Sequence, residues 1–190
     1  MKDLGEFPAN HTGSLIVAHP KLRDLNFGRT VILINNHSNE EGALGVVINR
    51  PLGTTLGCYN KQFANSPLGK VPLYSGGPVD SGSLILTAWK WEDSGEFRGD
   101  FAITTDRAET LLEENQNMEV RGFIGYAGWK PGQIEEELGQ DTWIVSPINR
   151  SLIETLKGID LWKGILDNLC PEMEFLVDFL ARAPIDPSMN

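Results

Sequence analysis

The chain has 190 residues, of which 41% are hydrophobic and 22% are charged, and this size and composition predict a globular protein with one main core. Its 26 acidic side chains outnumber the 16 basic ones, which gives a formal charge of −10 without any run of Lys or Arg. Because a surface of this sign repels nucleic-acid phosphates, we expect no direct contact with DNA.

Targeting and domain signals are equally sparse. No segment approaches the ~20 apolar residues of a membrane span, and the N-terminus lacks the apolar core of a signal peptide, so we expect a cytoplasmic protein with no membrane partner. We expect residues 1–12 to form a loosely ordered lead-in and residues 13–190 to form a single domain that includes C-terminal helices. Cys58 and Cys170 lie far apart without CxxC spacing, which predicts two reduced thiols.

The first part of the chain is predicted to be rich in strands. The predicted strands cover residues 14–18, 29–35, 43–49, 71–74, 84–91, 101–103, 120–127 and 143–145. The unbroken apolar run from Val31 to Ile34 is typical of a central strand covered on both faces. Residues 36–42 should form a polar turn. Pro51 should end the pairing of the strand before it, because proline has no N–H to donate to a ladder.

Helices are predicted between the strands and after them. They comprise a short helix within 54–70, a helix from Asp106 through Glu114, a helix that begins at Pro131, and two helices after Ser151. Glu109 follows Asp106 by three residues, a spacing typical of a capping box. This order of elements favours an α+β fold over an alternating parallel fold.

The most distinctive segment runs from Gly125 to Leu138. Gly125 and Gly128 flank a tyrosine and leave room for a second backbone to approach, which predicts a corner at the end of a strand. Pro131 suits the first turn of a helix, where its missing N–H would have had no partner. Ile134 and Leu138, four residues apart, should share the buried face of that helix.

Five segments occur in a characteristic order: Gly13–Ala18, Arg29–Ile32, Gly42–Leu52, Gly76–Val79 and Gly125–Leu138. Together they resemble the AlgH/YqgE-like family of bacterial proteins over residues 13–145, with Lys130 and Pro131 standing where the family usually has two small residues. The resemblance implies an α+β fold in which a bifurcated mixed sheet, with a small closed barrel-like portion, is flanked by helices. The family has been labelled a transcriptional regulator, but the resemblance implies no firm biochemical activity.

Motifs for catalysis and metal binding are absent from the sequence. It has no G-x-S-x-G nucleophile elbow, no phosphate loop with its lysine, and no histidine spacing typical of zinc ligands. We therefore predict no catalytic residue, no metal site and no cofactor, with His37 solvated in a hairpin turn. Ser75–Pro78 is compatible with an anion-binding nest or, more simply, a tight turn. Glu135–Glu137 should complement the helix macrodipole rather than converge on a substrate.

The candidate site is assembled from two glycine-rich segments. Glycines cost stability unless the backbone geometry needs them, so we expect the Gly76–Pro78 turn and the Gly125–Trp129 corner to lie side by side. The candidate ligand- or partner-binding residues are Arg50, Gly76, Gly77, Pro78, Tyr126 and Trp129. Trp129 would wall the site and Arg50 would attract an anionic group. Alternatively, the glycines only let the sheet fork, Arg50 pairs with a nearby carboxylate, and the two aromatic side chains belong to the core.

Two functional hypotheses remain. The first is a non-enzymatic binding or regulatory protein that acts through a partner protein or a small ligand. The second is a hydrolase-type enzyme whose site is assembled from distant residues. A His or Cys within hydrogen-bond reach of a carboxylate in a concave pocket would favour the enzyme, whereas exposed aromatic side chains would favour binding.

Overall fold

The computed structural model describes residues 10–114 and 118–184, which form a mixed sheet flanked by helices. The strands are β1 (Leu15–Ala18), β2 (Val31–Ser38), β3 (Gly42–Val47), β4 (Pro51–Thr55), β5 (Pro72–Ser75), β6 (Val79–Trp91), β7 (Phe97–Ile103), β8 (Glu119–Trp129) and β9 (Trp143–Ser146). The α-helices are α1 (Leu56–Tyr59), α2 (Thr105–Glu114), α3 (Gln133–Gly139), α4 (Arg150–Thr155), α5 (Gly158–Leu169) and α6 (Glu174–Arg182). None of these helices is long and apolar enough to cross a membrane. The predicted α+β class is confirmed.

Strand β8 is the point at which the sheet divides. It pairs antiparallel with β6 over residues 119–126, parallel with β5 over residues 122–124, and antiparallel with β3 over residues 127–129. From β5 the sheet continues to β4, and from β3 it continues through β2 and β1 to β9. The bifurcated sheet is therefore confirmed, and its barrel-like portion is a curled half-barrel.

The core lies against the two branches of the sheet. Residues Val31–Ile34 of β2 are at most 2% exposed, which confirms that this strand is covered on both faces. Helix α5 covers β1, where the indole Nε1 of Trp162 donates to the carbonyl oxygen of Ala18 at 2.8 Å. A second cluster, which includes Leu73 and Leu111, lies beneath α2.

The β2–β3 hairpin differs from the prediction. Strand β2 continues through Ser38, so the turn contains only residues 39–41, and His37 is 2% exposed instead of solvated. His37 is buried by His11 and Thr12, at the end of the segment that was expected to be a lead-in. Residues 1–9 lie outside the described part of the chain, but Thr12 Oγ1 accepts from the backbone N–H of His37 at 2.9 Å, and the backbone N–H of His11 donates to His37 Nδ1 at 3.0 Å. The predicted hairpin is confirmed, but its turn was predicted too long because the segment that covers His37 is distant in sequence.

Other predicted boundaries were wrong because pairing or capping overrode the local pattern. The β3 ladder does end before Pro51, but Pro51 begins β4, an edge strand that pairs with β5 and tolerates a missing N–H. Strand β7 runs longer than predicted because it pairs with β6, and β6 begins earlier than predicted, where Val79 pairs with Tyr126 of β8. Helix α2 begins at Thr105, and its cap is Thr104, whose Oγ1 accepts from the N–H of Arg107 at 3.2 Å.

The Gly125–Leu138 segment forms a longer strand and a later turn than predicted. Strand β8 continues to Trp129 because β3 pairs with its last residues, so the expected corner lies at residues 130–132. Helix α3 begins at Gln133, after Gly132 adopts φ 78°, and does not begin at Pro131. Ile134 and Leu138 are 0% and 4% exposed, which confirms their shared buried face.

Candidate ligand-binding cavity beside Trp129

The two glycine-rich segments lie side by side, as predicted. Strands β5 and β6 flank opposite edges of β8, so the connection through Gly76 and Gly77 crosses β8 at Gly125. A Cβ built on Gly76 would overlap the carbonyl oxygen of Gly125, and one built on Gly77 would overlap the backbone of Tyr126. These glycines are therefore needed for a close backbone crossing.

Two of the N–H groups that an anion-binding nest in the glycine turn could use are already paired with backbone carbonyl oxygens. The N–H of Ser75 donates to the carbonyl oxygen of Arg50 at 2.9 Å, and the N–H of Gly76 donates to the carbonyl oxygen of Ile124 at 2.8 Å. Because these donors are already used, the turn has an architectural role at this crossing.

Arg50 holds a loop instead of facing the glycines. Its Nη1 donates to the carbonyl oxygen of Asn26 at 2.6 Å, and its Nη2 donates to the carbonyl oxygen of Gly28 at 3.2 Å. Burial lowers the pKa of the Arg50 guanidinium, and the nearby charge of Asp24 opposes that shift. The side chain therefore neither pairs with a carboxylate, as one hypothesis held, nor presents a free charge to an anionic ligand. It fixes the loop that carries Phe27.

A cavity of about 350 Å³ adjoins Trp129. Its aromatic side is formed by Phe27, Trp129 and Trp143, and its polar side includes Asp24, Gln133 and Glu137. Of the predicted site residues, only Trp129 lines this cavity; Arg50 contributes through the loop, and Gly76, Gly77, Pro78 and Tyr126 lie outside its lining. We refer to this space as the Trp129 cavity.

The three aromatic rings hold one another in fixed orientations. The ring centroid of Trp143 lies 5.8 Å from that of Phe27 and 6.0 Å from that of Trp129. The interplanar angles are 79° and 78°, so both pairs are edge-to-face. Phe27 and Trp129 lie 6.4 Å apart. Such pairs stabilise aromatic clusters beyond the area that they bury. The loop also fixes the backbone of Phe27, because Asp24 Oδ1 accepts a hydrogen bond from the N–H of Phe27 at 2.9 Å.

Glu137 orients the two indoles. Its Oε2 accepts from Trp129 Nε1 at 2.9 Å and from Trp143 Nε1 at 2.7 Å, while its Oε1 accepts from Gln133 Nε2 at 2.8 Å. The expectation that Glu135–Glu137 serve only the helix macrodipole is therefore wrong for Glu137. Two sequence signals for this role of Glu137 were available. Gln133 and Glu137 are spaced i, i+4 on a helix, and buried indoles need a hydrogen-bond acceptor.

The sequence profile of the AlgH-like family matches residues 15–174 of this chain. The chain belongs to the AlgH-like family. Among the relatives of this AlgH-like protein, the UPF0301 protein BF2109 of Bacteroides fragilis is 31% identical over 189 residues, covering 94% of this chain and 90% of the relative. The UPF0301 protein azo3459 of Azoarcus sp. is 36% identical over 155 residues, covering 76% of this chain and 81% of the relative.

Two solved structures share the fold of this AlgH-like protein. The crystal structure of protein DIP2367 from Corynebacterium diphtheriae has a TM-score of 0.69 and 23% identity, and the match covers 88% of this chain and 91% of that one. The solution structure of AlgH from Pseudomonas aeruginosa has a TM-score of 0.64 and 24% identity, covering 94% and 97%. At this identity the similarity establishes the fold alone.

A second cluster of polar side chains lies on the hairpin of this AlgH-like protein. The buried ring of His11 stacks on His37 with centroids 5.2 Å apart, and Glu135 Oε1 lies 2.8 Å from His37 Nε2, off the line of an aligned hydrogen bond. Burial, reinforced by His37, lowers the pKa of His11, and Glu135 opposes that shift. Neither ring nitrogen of His11 has a partner among the described residues.

His37 is poorly placed to act as a metal ligand or as a general base. His11, His37 and Glu135 bring metal-type donors together. However, His37 Nδ1 accepts a backbone N–H, so the neutral ring carries its proton on Nε2 and has no lone pair there for a metal. The same bond occupies the nitrogen that a catalytic base would need. In this pair His37 therefore has no free lone pair with which to accept a proton.

Proposed function

We propose that this AlgH-like protein is a non-enzymatic binding protein that takes up a small ligand in the Trp129 cavity. The observation that carries the proposal is a cavity of about 350 Å³ whose aromatic wall is held in place by a single carboxylate. Small-molecule sites typically occupy ~300–1,000 Å³ and combine apolar walls with a few polar groups. The cavity has this composition.

The lining of the cavity favours binding over covalent chemistry. It includes no His or Cys, and its carboxylate Glu137 already accepts hydrogen bonds from two indoles and one amide. Gln133, Gln140 and Thr142 offer neutral polar groups that can orient a ligand. Such a set recognises shape and charge without supplying a nucleophile and its base.

Exposed aromatic side chains, the second feature expected of a binding protein, occur on α6. Phe175 and Phe179 are 88% and 64% exposed. They support a binding role for the protein but do not identify what would contact them.

The proposal is tested by following the indole N–H signals of ¹⁵N-labelled protein while neutral, cationic and anionic fragments are added. A ligand of the cavity should shift the Trp129 and Trp143 signals, because both indoles line it. Gln140→Trp should plug the cavity and abolish these shifts. Glu136→Trp, which adds the same side chain outside the cavity lining, should preserve them. A library that leaves both indole signals unchanged would refute the proposed function.

A further inference from the structure

We propose that the ligand of the Trp129 cavity carries a quaternary ammonium group, an inference that rests on the binding function proposed above. Asp24 and Glu137 line the cavity, no Lys or Arg does, and neither carboxylate forms an ion pair among the described residues. Asp24 interacts electrostatically with Arg50, but the donors of Arg50 are directed to the carbonyl oxygens of the loop. The cavity therefore favours a cation.

The aromatic walls favour an organic cation over a hydrated metal ion. Three aromatic rings line the cavity, those of Phe27, Trp129 and Trp143, and their centroids lie within 6.4 Å of one another. Aromatic rings attract cations through their quadrupole, tryptophan most strongly, and clusters of such rings recognise alkylated ammonium groups. A hard metal ion would instead require several oxygen ligands, which this lining does not bring together.

The hydrogen bonds of the carboxylates distinguish a quaternary from a primary ammonium. A carboxylate offers about four acceptor positions, and Glu137 already uses three of them. Asp24 Oδ1 likewise accepts from two backbone N–H groups of its loop. A primary ammonium brings three donors, which would have to compete for the few carboxylate positions that these hydrogen bonds leave, Asp24 Oδ2 and the fourth position of Glu137. A quaternary ammonium brings none and needs only negative charge and aromatic surface.

The test compares three probes of similar size in the indole titration: choline, its uncharged carbon analogue 3,3-dimethylbutan-1-ol, and n-butylammonium. Choline should shift the Trp129 and Trp143 signals and bind roughly 10-fold more tightly than the uncharged analogue, the difference that a partly desolvated cation–π contact supplies. It should also bind more tightly than n-butylammonium. Trp89 and Trp91 provide an internal control, because they line a different cavity and a guanidinium already lies over each ring, that of Arg121 at 4.5 Å from the Trp89 centroid and that of Arg150 at 5.8 Å from the Trp91 centroid.

Two variants separate the local charge from the net charge. Glu137→Gln should weaken choline binding, whereas Glu136→Gln makes the same change in net charge outside the cavity lining and should leave binding unchanged. Equal affinity for choline and its uncharged analogue, or tighter binding of n-butylammonium, would overturn the inference and leave the binding function standing. The inference would also be overturned, and the binding function left standing, if other fragments shifted the two indole signals and choline did not. If no compound shifts them, both proposals fail.

Discussion

Replacing Glu137 by alanine tests the structural basis of the Trp129 cavity. The variant would leave the Nε1–H groups of Trp129 and Trp143 without their acceptor, and these side chains are only 6% and 4% exposed. An orphaned buried donor costs about 1–3 kcal/mol, so two would cost ~2–6 kcal/mol. Because water can enter the adjoining cavity and reach part of this group, we expect the lower half of the range, ~2–4 kcal/mol.

The measurements are equilibrium unfolding in urea and thermal unfolding, both followed by circular dichroism. At this chain length each kcal/mol corresponds to a shift in Tm of about 2–4 °C, so a loss of ~3 kcal/mol should lower Tm by roughly 6–12 °C. Glu137→Gln keeps an oxygen acceptor and should lose less. The matched control is Glu136→Ala, on the same helix. Among the described residues the Glu136 carboxylate accepts only from Gln140 Nε2, at 3.3 Å, so this variant should stay within ~0.5 kcal/mol of the parent. If the Glu137 and Glu136 variants unfold alike, Glu137 does not hold the indoles.

Four further predictions address the core, the glycine crossing, acid stability and nucleic acid. Ile32→Ala and Leu33→Ala should each cost ~2–5 kcal/mol of unfolding free energy, since both side chains are buried; losses below ~1 kcal/mol at both would contradict the core assignment. Gly76→Ala should destabilise the fold because its Cβ would overlap the crossing backbone, whereas Gly82→Ala, with open space around its Cβ, should be tolerated in the same denaturation assay. Because burial lowers the pKa of His11, the unfolded state binds more protons than the folded state near pH 6. The free energy of unfolding should therefore fall as the pH drops from about 7 to 5. If His11→Gln leaves the pH dependence of the unfolding free energy unchanged, this prediction is contradicted. In a titration with duplex DNA at ~0.15 M salt, sub-micromolar sequence-dependent binding would refute the expectation drawn from the −10 charge.

The amino-acid sequence by itself determined the features that depend on near neighbours in the chain. The apolar run Val31–Ile34 predicted a strand buried on both faces, and the spacing of Ile134 and Leu138 predicted the inward face of α3. Periodicity and composition encode these because side-chain direction within a strand or helix repeats at a known interval. The ordered set of five segments resembled a known family, and that resemblance implied the forked sheet.

Only the tertiary structure decided the partners of the polar side chains. The sequence shows that Glu137 is acidic, but it does not show that β9 brings Trp143 to the same carboxylate that receives Trp129. Arg50 reaches loop carbonyl groups 22 to 25 residues away, and His37 is buried by a segment 25 to 26 residues before it. A polar side chain has several possible donors or acceptors, and local sequence does not choose among them. The choice is made when distant segments close over the sheet, because each buried polar group must then find a partner within hydrogen-bond distance.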